Sequence, residues 1–238
     1  MKSKKKSQLT INWLTGLGLF LGFFSLDQLA ELFIIGYNAN TNKIIWAVLA
    51  FITLIITCAL IFKYLLNRKQ LSKVNKQMVV KGLSHALNML LLMALWSIAL
   101  IPLKSFNLNG TSTNQSTLES ISKANVISQL FIIVMTCIAA PIIEEFLFRY
   151  LIITPYKKGK SQIIATIFSA ILFATVHMLV QYTSIHNSHQ AIIALIQTLE
   201  YLTISTYLSI YYYKNNNIEQ NMFIHGCYNT IICAFTLI

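Results

Sequence analysis

Apolar stretches long enough to cross a lipid bilayer constrain the fold of this chain more than any other feature. A membrane-spanning helix needs about 20 mostly apolar residues. Seven stretches meet this length, at residues 11–36, 44–66, 83–103, 125–152, 162–182, 190–213 and 218–238. They predict an all-α, polytopic membrane helix bundle of about seven transmembrane helices. No repeat or domain boundary is visible, so residues 1–238 are predicted to form a single membrane domain.

The scarcity of charge supports a lipid environment. Only 11% of the 238 residues are charged and 56% are hydrophobic, whereas a soluble domain has roughly 25% charged residues. A soluble chain of this length would need more surface charge to stay dissolved. The first stretch carries Asp27 and Glu31, and the last begins in polar residues. The predicted location is the cell membrane, as a multi-pass protein.

The net charge of +11 does not indicate a nucleic-acid partner. Nucleic-acid binding needs a basic patch on a folded face, but the basic residues here lie between apolar runs, as topology signals do. Most of them lie in four segments: the N-terminal tail, residues 67–82, residues 153–161 and the linker before the last stretch. With seven helices these four segments fall on one side of the membrane, and the segments on the opposite side contain only Lys43, Lys104 and Lys123. The positive-inside rule therefore predicts a cytoplasmic N-terminus and an extracytoplasmic C-terminus.

Ionisable groups inside the fourth stretch form the first candidate site. Such groups cost about 2.5–3.5 kcal/mol each at a helix centre and usually face the bundle interior. Glu145 and Arg149 are four residues apart, which predicts an ion pair on one helix face. Glu144 is rotated by about 100° and has no partner on its helix, so it is a candidate general base. The alternative is a buried ion pair with one solvated glutamate.

Two further polar pairs occur on the fifth and seventh stretches. Phe173 and His177 share one helix face, and so do His225 and Asn229. His225 and Asn229 can donate hydrogen bonds to a developing oxyanion, and Gly226 permits close approach of another backbone or a substrate. The alternatives are a packed imidazole at His177 and interhelical polar contacts at the second pair, which average about 0.6 kcal/mol.

Taken together, the sequences EEFLFR, FATVH and HGCYN resemble the motifs of a known family. The CPBP intramembrane proteases, also called the Abi or CAAX-protease family, carry EExxxR, FxxxH and HxxxN/D in this order on successive core helices. That family includes the Ras-converting CAAX endopeptidases. The resemblance covers about residues 125–238, the predicted catalytic core, whereas the first three helices match only as apolar spans.

The resemblance implies a hydrolase, an intramembrane endopeptidase. By position it assigns catalysis to Glu144, His177, His225 and Asn229, with Glu145, Arg149 and Phe173 in support. Glu144, helped by His177, would activate a water, and His225 with Asn229 would stabilise the oxyanion. Implied substrates are peptides or proteins, including membrane-anchored or prenylated CAAX proteins, and implied settings include peptide maturation and bacteriocin self-immunity.

Two alternatives stay open at this stage. Members of the family are often named metalloproteases. Glu144, His177 and His225 could bind a zinc ion with water as the fourth ligand. The HExxH motif is absent, and a metal-free glutamate mechanism is equally consistent with the residues, so no cofactor is assigned with certainty. The second alternative is a non-catalytic membrane protein, either a bacteriocin-immunity protein that acts by binding or a small transporter.

The depths of the candidate residues raise one geometrical difficulty. At 1.5 Å per residue, Glu144 lies about 14 Å from the cytoplasmic end of its helix. His177 lies about 24 Å from the start of its own helix by the same rise. The two side chains can meet only if a helix is tilted or extends past the interface. Pro141 is a candidate bend in the fourth helix.

Overall fold

The computed structural model describes the backbone of residues 13–39, 43–71, 75–102, 116, 119, 126–156 and 158–236. It describes the side chains of the same residues except 13, 30–39, 43, 44, 127 and 236. Glu31 therefore lies outside the described side chains. Most of residues 103–125 and the basic N-terminal tail also lie outside the described part.

The described elements are helical, which confirms the all-α prediction. Seven helices coincide with the seven predicted stretches. They are α1 (Trp13–Ala39), α2 (Lys43–Asn67), α3 (Lys76–Ala99), α4 (residues 126–151), α5 (Lys160–Thr183), α6 (Ser188–Asn215) and α7 (Ile218–Thr236).

Side-chain caps explain why some helices are longer than their apolar stretches. The Asn75 side chain accepts a hydrogen bond from the Met78 backbone N–H at 2.9 Å, and the Asn187 side chain accepts one from the Gln190 N–H at the same distance. Asparagine at this position satisfies an N–H that the helix leaves unpaired. The hydrophobic pattern alone places the first helical residue seven positions too late in α3 and two positions too late in α6.

Helix α4 contains two π-helical segments. It consists of Val126–Val134, a π segment Met135–Ala139, a short α segment Ala140–Glu144 and a π segment Glu145–Leu151. In a π segment the backbone hydrogen bond spans five residues, and such segments are frequent at functional sites. The glutamates and Arg149 therefore lie on a helix whose geometry departs from the regular α-helix.

Five helices of the described part are long and apolar enough to cross a membrane, by length and composition. These are Ile45–Asn67, Lys76–Ala99, Ser128–Leu151, Lys160–Thr183 and Ser188–Asn215. The described side chains of α1 form a shorter apolar segment, Leu14–Leu29, and α7 is rich in polar residues. Many leucine and isoleucine side chains on the outer faces are exposed, as expected for a surface in contact with lipid. The chain is a membrane protein.

Helix α4 lies at the centre of the bundle and contacts α1, α2, α5 and α7. The side chains of its second π segment are all buried. Around it, α1 packs on α2, α5 packs on α6, and α3 packs on α7. At Gly82 the ring of Phe223 occupies the space that a β-carbon would fill, so α3 and α7 approach closely. This arrangement presents the polar residues of α4, α5 and α7 to one another.

Candidate active site

Glu144 lies between two histidines from different helices. The Nε2 atom of His177, on α5, is 3.6 Å from Glu144 Oε1, and the Nε2 atom of His225, on α7, is 3.7 Å from Oε2. The Glu144 side chain keeps 18% of its surface exposed and His177 keeps 16%. The depth difficulty is therefore resolved: the two side chains meet, although counting along upright α-helices places them at different depths.

The hydrogen bond at the far side of the ring fixes the orientation of His177. Its Nδ1 atom is 2.9 Å from the Phe173 carbonyl oxygen, which can only accept, so we assign the ring proton to Nδ1. In the neutral ring the lone pair of Nε2 then faces the Glu144 carboxylate. Two acceptors cannot form a hydrogen bond with each other, and these two atoms are 3.6 Å apart. A water molecule has two protons and can donate to both.

The Phe173 ring contacts both His177 and the guanidinium of Arg149. The ring stacks on the imidazole, with centroids 4.2 Å apart and planes inclined by 26°. The Cζ atom of Arg149 also lies over the Phe173 ring, 4.5 Å from its centroid. This distance is typical of a cation–π contact. Phe173 therefore helps to position His177 through its ring as well as through its backbone carbonyl.

The predicted ion pair between Glu145 and Arg149 is present and fully buried. Arg149 Nη1 lies 3.0 Å from Glu145 Oε1, and both side chains have 0% exposure. Arg149 Nη2 also donates to the Oγ atom of Ser205 at 2.9 Å and to its carbonyl at 3.2 Å. A buried ion pair is tolerated when further hydrogen bonds satisfy its remaining donors and acceptors, and Ser205 on α6 supplies two of them.

Glu145 also orients His225. The Nδ1 atom of His225 lies 2.8 Å from Glu145 Oε1, so Nδ1–H donates to the carboxylate and Nε2 faces Glu144. The side-chain amide of Asn221 donates to Glu145 Oε2 and to the Leu208 carbonyl. Glu145 thus accepts hydrogen bonds from α4 and α7 together.

Asn229 occupies a different part of the site. It lies one turn after His225 on α7, and its Nδ2 atom donates to the backbone carbonyl of Thr136 at 2.9 Å. Of the four residues predicted to be catalytic, His177 and His225 flank the carboxylate of Glu144, whereas the hydrogen bond of Asn229 ties α7 to the first π segment of α4.

Sequence reasoning did not identify Asn221, Ser205 or Tyr201. Asn221 precedes His225 by four residues, and Tyr201 precedes Ser205 by four. The ring of Tyr201 lies 5.0 Å from the ring of His177. A separation of four residues in the sequence places two side chains on one face of a helix. A search for such faces in α6 and α7 would have found these residues.

The zinc alternative finds no ligand set in the part of the chain that the structure describes. Within that part, no group of three or more His, Cys, Asp or Glu side chains is arranged to hold a metal ion. The two histidines flank Glu144 without forming such a group.

A family model matches the segment that contains this site. Residues 126–231 match a family described as type II CAAX prenyl endopeptidase Rce1-like. The matched segment, a little under half of the chain, runs from the start of α4 into α7 and includes every residue predicted for the site. No curated protein and no solved structure matches. The match confirms the resemblance to the CPBP and CAAX-protease family, and it supports a protease that acts on a peptide or protein at the membrane.

Proposed function

We propose that this chain, whose residues 126–231 match the CAAX-type endopeptidases, is an intramembrane endopeptidase that uses a water activated by Glu144 and His177. One observation carries the proposal: Glu144 meets His177 and His225, from three separate helices, at 3.6 and 3.7 Å. Placing so many ionisable groups in a membrane domain is costly. Hydrolysis of a peptide bond uses such an arrangement.

The proposed reaction begins with a water between Glu144 Oε1 and His177 Nε2. Glu144 accepts a proton from the water while the water oxygen forms a bond to the scissile carbonyl carbon, and the carbonyl electron pair moves onto its oxygen. Glu144 then returns the proton to the leaving nitrogen as the carbon–nitrogen bond breaks. The products are a carboxylic acid and an amine.

We assign stabilisation of the oxyanion to His225 and Asn229. His225 Nδ1–H is bound to Glu145, so donation from Nε2 requires a ring with both nitrogens protonated. The two carboxylates of Glu144 and Glu145 together then balance the charges of His225 and Arg149. Asn229 has a second amide N–H beyond the one bound to Thr136. Losing one donor of this kind costs about 2.7–4 kcal/mol of transition-state stabilisation.

We further propose a membrane-anchored substrate cut near the cytoplasmic side. The family description names prenyl endopeptidases, which favours a prenylated, CAAX-type substrate; peptide maturation and bacteriocin self-immunity are the other settings we consider. The orientation proposed is a cytoplasmic N-terminus and an extracytoplasmic C-terminus, with the chain forming one membrane domain whose catalytic core is residues 125–238. A non-catalytic immunity protein or a small transporter is the competing function.

The test compares peptides released from membranes that contain the intact protein, Glu144→Gln or Glu219→Gln. Glutamine keeps the size of glutamate and removes the base, and Glu219 in the first turn of α7 is the matched control. We expect products with new carboxyl ends from the intact protein and the control only, at unchanged levels in chelator. Release by Glu144→Gln would overturn the proposal, and equal peptide profiles from all three would favour the competing function.

A further inference from the structure

A proline inside α4 leaves one backbone carbonyl without its helical donor. The Ala140 N–H donates to the Met135 carbonyl, five residues earlier. The next donor along the helix belongs to residue 141, but Pro141 has no N–H. The carbonyl of Thr136 therefore receives no hydrogen bond from the helical series. Thr136 is half-buried, and a backbone carbonyl that is shielded from water and lacks a partner is costly, so a donor from another helix stabilises it.

Helix α7 supplies the missing donor. The side-chain Nδ2 of Asn229 donates to the Thr136 carbonyl at 2.9 Å. One turn earlier, a β-carbon built at Gly226 would lie 3.0 Å from the Cys137 carbonyl oxygen and 3.9 Å from Pro141 Cγ. The α7 backbone thus lies directly against the carbonyl edge that Pro141 interrupts. The absence of a side chain at Gly226 allows this approach.

We propose that Pro141 and the Thr136 carbonyl are positioning elements of the oxyanion site, an inference that rests on the proposed function. A side-chain amide has two N–H donors. The Thr136 carbonyl binds one of them and thereby fixes the plane of the Asn229 amide, which leaves the other for the substrate oxygen. Pro141 acts through Asn229 because it keeps the carbonyl free of a helical donor.

A purely structural role for the same hydrogen bond gives a different expectation. If Asn229 only holds α7 against α4, weakening the bond lowers stability and leaves turnover of the folded protein unchanged. If the bond aims the amide, turnover falls even in a variant that is more stable. Pro141→Ala separates the two roles, because it restores an N–H inside a helix and removes a residue that disfavours helix interiors.

The first experiment measures kcat, KM and the thermal midpoint of Pro141→Ala in detergent, with a peptide that the intact protein cleaves. The new N–H competes with Asn229 for the Thr136 carbonyl, so we expect kcat to fall by roughly tenfold or more, part of the 10²–10³ that one oxyanion donor supplies. We expect KM to be unchanged and the midpoint to be equal or higher. The control is Pro155→Ala, in the turn after α4, which should leave kcat unchanged.

The second experiment removes the side-chain amide of Asn229 from the intact protein and from the Pro141→Ala variant. Asn229→Ala should lower kcat strongly in the intact protein and by a clearly smaller factor in Pro141→Ala, because residues that act together are non-additive. Gly226→Ala tests the same bond from α7 and should also lower kcat, so the conclusion does not depend on one variant folding. Its control is Gly22→Ala, where a β-carbon meets nothing within 4 Å.

Unchanged kcat in both Pro141→Ala and Gly226→Ala would overturn the inference, as would an equal loss from Asn229→Ala in both backgrounds. These outcomes are distinct from failure of the proposed function. If Glu144→Gln is inactive while Pro141→Ala and Gly226→Ala are both fully active, only the positioning role falls. If Glu144→Gln keeps full activity, the proposed function falls and the oxyanion role of Asn229 falls with it.

Discussion

Each of the two adjacent glutamates has a different set of neighbours. Glu144 keeps some exposure and faces the Nε2 atoms of His177 and His225. Glu145 has none and accepts hydrogen bonds from Arg149, His225 and Asn221. A rotation of about 100° between neighbouring helical residues directs the two carboxylates to different partners. We therefore assign the chemistry to Glu144 and the ordering of the site to Glu145.

This division predicts unequal stability losses at Glu145 and Arg149. Glu145→Ala leaves the buried Arg149 without its counter-ion and removes the acceptor of two α7 side chains, which should cost about 3–5 kcal/mol. Arg149→Ala should cost less, because His225 and Asn221 still donate to Glu145. Thermal unfolding and abundance in the membrane measure both, with Glu219→Ala as the control. Normal abundance of both variants with lost activity would instead make the pair catalytic.

At the scale of helices, the packing of α3 on α7 supports the helix that carries His225. The Phe223 ring fills the position of a β-carbon at Gly82, and Phe223 lies two residues before His225. A side chain at Gly82 must displace that ring, and overpacking of this kind costs about 1–3 kcal/mol. The contact therefore links the α3 surface to the position of His225.

Gly82→Ala should lower both the thermal midpoint and the activity. In an isolated helix the change from glycine to alanine stabilises the helix by about 0.8–1 kcal/mol. A loss of stability in Gly82→Ala would therefore report the contact between Gly82 and Phe223. Gly18→Ala on α1 is the matched control, because a β-carbon there meets nothing within 4 Å, and it should be neutral or stabilising. Equal responses of the two variants would show that Phe223 does not hold α7 in place.

The apolar stretches predicted the helices well because helix length and composition follow from the thickness of the bilayer. They could not predict the π segments of α4, since these depend on a local conflict between the helical hydrogen bonds and Pro141 and on donors from other helices. Ser169 on α5, for example, donates to the Phe148 carbonyl of the second π segment at 2.5 Å. Such partners are distant in the sequence.

The three motifs contain the residues that the structure brings together around Glu144, because their four-residue spacings place two side chains on one helix face. The depth estimate for Glu144 and His177 misled because it assumed upright, regular helices. Asn221 was overlooked because an asparagine near a helix start resembles a solvated residue. Its partner, Glu145, belongs to another helix.

For the whole molecule, the distribution of basic residues predicts the orientation in the membrane. With seven helices, a cytoplasmic N-terminus places the C-terminus outside. A reporter fused after Ile238 should therefore give an extracytoplasmic signal, and one fused in the basic connection after α2, near Arg68, should give a cytoplasmic signal. A cytoplasmic signal at the C-terminus would contradict the count of seven spans.

The central claim is that Glu144 and His177 act as one unit on a single water, and a double-mutant comparison tests it most directly. Glu144→Ala, His177→Ala and the double variant, purified and assayed with one cleavable peptide, should lose nearly the same large factor in kcat, because removing either residue disables the unit. His189→Ala, at an exposed position near the start of α6, should keep full activity. Losses that multiply in the double variant, or an active Glu144→Ala, would contradict the account.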